Sequence, residues 1–242
     1  MTAVARGTGS NLEIVPISLP LGMPPSREEP RGMLDALLTR RHDTLADALA
    51  STDPMFASPI VPAGAVTDAP GRDLVLELDA SASPPSPAGW RPIRYQVDCS
   101  SDELDDVLAF TAPSPLVVYV DGPDEALADT ARALTEAGHI PGLPAGHEHD
   151  AVADFLAVLA HSDTGFVARA ATAADVVALF SATAAALSGF DIRAALAAPD
   201  VARLQRLIPE AGVALREILL AVEVDDPESV ARELQALGLS PR

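Results

Sequence analysis

From Ser58 to the C-terminus, short apolar runs of strand type alternate with helical patterns, and nothing else in the chain constrains its fold as much. The runs are "SPIVPA" (Ser58–Ala63), "DLVLELD" (Asp73–Asp79), "IRYQVDC" (Ile93–Cys99) and "PLVVYVD" (Pro115–Asp121). They continue with "HIPGL" (His139–Leu143), "GFVARA" (Gly165–Ala170) and "ILLAVEV" (Ile218–Val224), and an earlier candidate is "LEIVPISL" (Leu12–Leu19). Each is rich in β-branched residues and bounded by turn formers. Helical periodicity occupies 31–51, 101–110, 124–137, 149–161, 173–187 and 227–237, with a further helical pair over 191–207. Such alternation predicts a parallel sheet with crossover helices. Eight strand candidates predict an α/β fold of the (β/α)8 TIM-barrel type. The barrel is expected to be irregular in its N-terminal third, where no helix separates Asp79 from Ile93. A doubly wound open sheet is the alternative, weakened by the lack of a G-x-G-x-x-G turn. Residues 1–11 read as a tail and 12–242 as one domain.

Composition narrows the chemistry. The chain carries 16 basic and 35 acidic residues, a net charge of −19, so phosphate backbones and anionic lipid are repelled and no nucleic-acid or membrane partner is expected. All 16 basic residues are arginines. Without lysine there is no Schiff base, no pyridoxal-phosphate attachment and no P-loop. Codon bias in a GC-rich genome explains the absence more simply than any function does. The single cysteine, Cys99, forms no internal disulfide and reads as a small buried hydrophobe. No signal-peptide pattern opens the sequence, and "VVALFSATAAALSGF" (Val176–Phe190) reads as a buried helix rather than a membrane span. A soluble, cytoplasmic protein is expected.

Four of the five histidines crowd around "PGLPAGHEHDAV". In a barrel, His139 opens its strand and His161 closes its helix, so both belong at the bottom, where His161 complements a helix C-terminus. His147 and His149 stay at the top, where sites are built. His-x-His can chelate, but no other strand ends in histidine. The pattern therefore reads as a helix opening and not a metal site, with Val152, Phe155, Leu156 and Leu159 on the buried face.

Strand ends supply the other candidates: Asp79, Asp98, Asp121, Arg169 and Asp225. Asp226 before Pro227 is the natural N-cap of its helix, leaving Asp225 as a turn residue. Ser100 and Glu103 form a capping box, so Asp98 is not needed as a cap, and Asp121 can serve an Asx-turn. Arg169 shares its strand face with Val167 and Ala171 and is expected to contact Asp98, Asp121 or Asp225. Ion pairing is the favoured reading of these charges, and acid–base or cation-binding work by paired carboxylates the alternative.

The segment "DFLAVLAHSDTGFVARAATAADVV" and the ending "ILLAVEVDDPESVARELQALGLSP" together resemble an uncharacterised family of bacterial barrel-like proteins with an FKATAGLHH-type motif. Phe166, Ala168 and Ala170 match its Phe and two Ala. Val167 stands where that family has Lys, and Ala173 and Ala174 where it has the His pair. The resemblance implies a divergent copy that has lost the ancestral site, so no catalytic residue carries over. The expectation is a protein that binds a small molecule or a partner subunit, with Asp79, Asp98, Asp121, His147, His149, Arg169 and Asp225 as the ligand-binding candidates. The alternative is a metal-assisted lyase or isomerase acting on a small polar substrate through strand-end carboxylates. Cofactor and oligomeric state are left open.

Overall fold

The computed structural model describes residues 32–50, 53–66, 73–79 and 92–241. Eight strands run in parallel: β1 (Leu38–Thr39), β2 (Ile60–Pro62), β3 (Val75–Leu78), β4 (Arg94–Ser100), β5 (Leu116–Asp121), β6 (Ile140–Leu143), β7 (Phe166–Arg169) and β8 (Leu219–Glu223). Their order is β1-β8-β7-β6-β5-β4-β3-β2. Parallel bridges Leu38↔Phe56 and Arg41↔Ile60 bring the two ends of this sheet together. The result is a nearly closed (β/α)8-type barrel, as the alternation predicts. The four strands around Asp73, Ile93, Leu116 and Phe166 all lie in it, with β6 separating β5 from β7.

Side-chain alternation divides each strand into an outer and an inner row. Leu76, Leu78, Tyr95, Val97, Cys99, Val118 and Val120 form one outer cluster, with Val107 and Leu134 from the helices. Phe166, Ala168 and Val222 pack in a second, against helices α4 (His149–Leu159), α5 (Ala173–Ser188) and α9 (Pro227–Ala236). The inner row is apolar at its base, where Val117, Tyr119, Val167 and Ala221 meet.

Helix α4 buries Val152, Phe155, Leu156 and Leu159, and Phe155 meets Phe166 edge to face at 5.4 Å. Each such side chain contributes roughly 1.5–3 kcal/mol. Thr172 and Asp175 cap α5 reciprocally, and Gly189 ends it at φ 68°, a left-handed turn that suits glycine. The buried-helix reading of this stretch holds, and among the described residues no helix is long and apolar enough to cross a membrane.

Two readings need correction. The helical pattern of 31–51 yields a helix only at α1 (Leu45–Ala50), and Leu38–Thr39 inside it is a strand, held by backbone hydrogen bonds from Val222 to Leu37 and from Val224 to Thr39. Pairing with β8 overrides local propensity there. The stretch before β8 holds three short helices, α6 (Ile192–Ala197), α7 (Val201–Gln205) and α8 (Pro209–Ile218), the last unforeseen. The candidate strand Leu12–Leu19 and most of the loop between Asp79 and Ile93 lie outside the described residues.

Candidate functional site

The inner row turns polar at the C-terminal ends of the strands. Arg41 follows β1, Glu77 is on β3, Gln96 and Asp98 on β4, Tyr119 on β5, Arg169 on β7 and Glu223 on β8. Register sets Asp98 beside Tyr119 on neighbouring strands and Arg169 beside Glu223, and side-chain contacts join the two pairs across the barrel mouth.

Two guanidiniums and three carboxylates interlock there. Arg41 meets Glu77 at 2.6 Å, Asp98 at 2.8 Å and Glu223 at 2.7 Å. Arg169 meets the other oxygen of Asp98 at 2.6 Å and lies 3.3 Å from Glu223, the latter an electrostatic contact without hydrogen-bond geometry. Glu223, only 9% exposed, also accepts from Gln96 Nε2 at 2.8 Å. The Arg169 guanidinium stacks over the Tyr119 ring, 3.7 Å from its centroid. Burial pushes the Glu77 carboxyl above its usual range, opposed in part by Arg41. Burial also works against the charge of Arg41, but the hydrogen bond to Asp98 and the surrounding carboxylates outweigh it and hold the guanidinium above its ordinary value.

The strand-end candidates separate. Asp98 and Arg169 meet, as Arg169's place on an inner face requires. Asp121 is exposed beyond the level of Tyr119, and Asp79 and Asp225 are exposed too; none of the three pairs with Arg169. Asp226 accepts from Ser229 N at 2.9 Å and Glu103 caps Ser100 at 2.8 Å, as the capping patterns predict. Cys99 is buried against the outer cluster, and burial pushes its thiol up to about 11. The inner-row residues Gln96 and Arg94 were legible in "IRYQVDC", where they alternate with the outer Tyr95, Val97 and Cys99. Arg41 was hidden by the helical reading of its surroundings, and Glu77 and Glu223 by their apolar strands.

The histidines divide as barrel geometry requires. His139, buried before β6, lies 3.0 Å through Nε2 from the carbonyl oxygen of Val107, and His161 follows α4; both belong to the N-terminal end of the strands. At the other end His147 Nδ1 lies 2.6 Å from Asp124 Oδ1, and His149 opens α4 exposed. Among the described residues no three His, Cys, Asp or Glu side chains gather as a metal site. The hydrogen bond from His147 holds the Asp124 carboxyl below its usual range. A depressed carboxyl pKa stabilises the fold above the unfolded value of about 4 and loses that contribution as pH falls through the folded one. Asp124→Asn is therefore expected to lower the melting temperature near neutral pH. The gap to wild type should close as pH falls below about 4, and melts of both proteins across that range check it.

Beside Arg169 an open cleft of about 320 Å³ separates the loop after β6 from the start of α5. Leu143, Val152, Ala178, Leu179 and Leu196 supply apolar walls, while His147, His149, Arg169 and Asp175 supply polar edges. No protein-family model matches the chain, and neither a curated protein nor a solved structure is found to resemble it.

Proposed function

We propose that this barrel is a small-molecule binding protein that has lost the ancestral chemistry, its ligand lying in the cleft at the C-terminal ends of β6 and β7. The cleft carries the reading: apolar walls converge on one guanidinium, that of Arg169, at the end of the barrel where such folds place their sites. This lining suits a molecule with a compact apolar body and one anionic or hydrogen-bond-accepting head. Val167, which stands where the resembling family has Lys, packs with Val117 and Ala221 and supplies no reactive group. The carboxylates of the mouth are engaged as well. Both oxygens of Asp98 face guanidiniums, and both oxygens of Glu223 have partners. Asp98 and Glu223, the carboxylates in contact with Arg169, are therefore not at liberty to take a proton or hold a cation, as the lyase or isomerase reading asks of a carboxylate beside that guanidinium.

A thermal-shift screen of short-chain and aromatic monocarboxylates, followed by calorimetry, tests the proposal. A hit should bind Arg169→Met about thirtyfold more weakly, as expected for losing a charged hydrogen bond of roughly 2 kcal/mol. Ala178→Leu, which fills the cleft and leaves the ion pairs untouched, should abolish binding with little change in melting temperature. Binding that survives both substitutions removes the cleft from consideration.

A further inference from the structure

Below the ion-pair level the inner row holds a cation with no carboxylate in contact, Glu223 acting on it only through space. Arg94, the first residue of β4, makes no ion pair and no hydrogen bond among the described residues, and its Nε is buried without a partner. The wall at this depth is apolar, formed by Val117, Val167 and Ala221 with Ile140 and Leu220 packed against them. Two further buried atoms lack partners: the Tyr119 hydroxyl, 2% exposed as a residue, and Gln96 Oε1, 0% exposed. Arg94 and Tyr119 feel one another's charge without a hydrogen bond between them. Among the described residues no acceptor serves either donor. Burial raises the phenol's pKa, so Tyr119 is a neutral O–H donor at physiological pH.

Arg94 is half-buried with its Nε cut off from water, and buried polar groups as a rule have partners. We infer that the lower barrel interior is an anion site, in which Arg94 and the Tyr119 hydroxyl donate to a small oxyanion and Gln96 Oε1 accepts from the hydroxyl which that anion carries. Gln96 sets this preference, because its Nε2 is committed to Glu223 and only its acceptor atom is left. A hydrogencarbonate or a hydrogen phosphate has both the acceptors and the donor, whereas chloride offers no donor. The site lies inside the barrel beneath the Arg169–Tyr119 stack, whereas the cleft opens outward beside Arg169, and its existence does not depend on what that cleft binds. The chain's net charge of −19 repels anions from its surface, so a saturable anion effect marks a specific cation, and the Arg94 substitution separates this site from the cleft at Arg169.

The experiment titrates the whole protein with sodium hydrogencarbonate, sodium phosphate or sodium chloride at constant ionic strength made up with methanesulfonate. Wild type should show a saturable rise in melting temperature with either oxyanion, roughly 5 °C or more at about a hundredfold excess over Kd. Arg94→Met, which keeps the length of the side chain but not its charge, should show none. Tyr119→Phe should weaken the effect about tenfold in concentration, the loss of one hydrogen bond. Equal responses in wild type and Arg94→Met, no response in either, or a response to chloride alone would overturn the assignment. Where Arg94→Met does not fold, the Arg94 Nε–Hε signal of wild type decides by itself. A saturable shift in the oxyanion titration supports the site, and an unmoved signal refutes it.

Discussion

Arg169→Ala is expected to destabilise the barrel by about 3 kcal/mol, a fall in melting temperature of roughly 6–12 °C for a chain of this size. Three losses add up. The stacking of the guanidinium on Tyr119 disappears, and for a partly desolvated pair that contributes about 1–2 kcal/mol. Asp98 loses one of its two cations, although its exposure of 45% lets water make up much of that loss. Glu223 is worse placed, since its side chain is 10% exposed and it keeps only Arg41 and Gln96. Arg169→Met should recover part of the packing and none of the charge, so it falls between wild type and alanine. An unchanged melting temperature in the alanine variant would make Arg169 a solvated surface charge, and the ion pairs of the mouth would then hold nothing together.

The parts of this site differ in how far the sequence betrays them. In "IRYQVDC" a strict period of two separates Arg94, Gln96 and Asp98 from Tyr95, Val97 and Cys99, and that period alone assigns the polar set to one face. The same reasoning places Arg169 beside Val167, and the capping signals at Ser100 and Asp226 are local enough to read without a fold. Partner identity is another matter. Arg41 follows a strand of two residues whose pairing to Val222 and Glu223 is set by chain closure, while its own neighbourhood, "LLTRRHDTLADALA", carries helical composition. Glu223 sits in "LLAVEV", where one acidic residue among apolar ones gives a face but no partner. Asp79, Asp121 and Asp225 look equivalent to Asp98 in sequence. What distinguishes Asp98 is depth, since it aligns with Tyr119 and stands below the rim. The cleft beside Arg169 is formed by loops whose spacing no strand or helix period encodes.

Gly142 shows how a single position can bind these levels together, and Gly142→Ala is expected to cost about 3 kcal/mol. In "HIPGL" the glycine reads only as a weak point in a strand, and alanine there should help by roughly 0.5–1 kcal/mol through reduced chain entropy. The barrel reverses the sign. A Cβ on Gly142 would lie 2.5 Å from Cγ of Tyr119, well inside contact distance, and the ring has no route of retreat. Its other face is covered by the Arg169 guanidinium, and its neighbours at this level are Val117, Val167 and Ala221. Relief must come from shifting Tyr119 and with it the ion pairs of Arg169, so the strain spreads to Asp98 and Glu223. A double-mutant cycle separates this from any general weakness of β6. Tyr119→Ala alone should cost about 3–5 kcal/mol from the cavity it leaves. In that background Gly142→Ala should cost less than about 0.5 kcal/mol, because the ring it strikes is gone. If the glycine substitution is equally costly with and without the tyrosine, the clash is not what Gly142 avoids, and the phenol ring does not lie where the barrel interior places it.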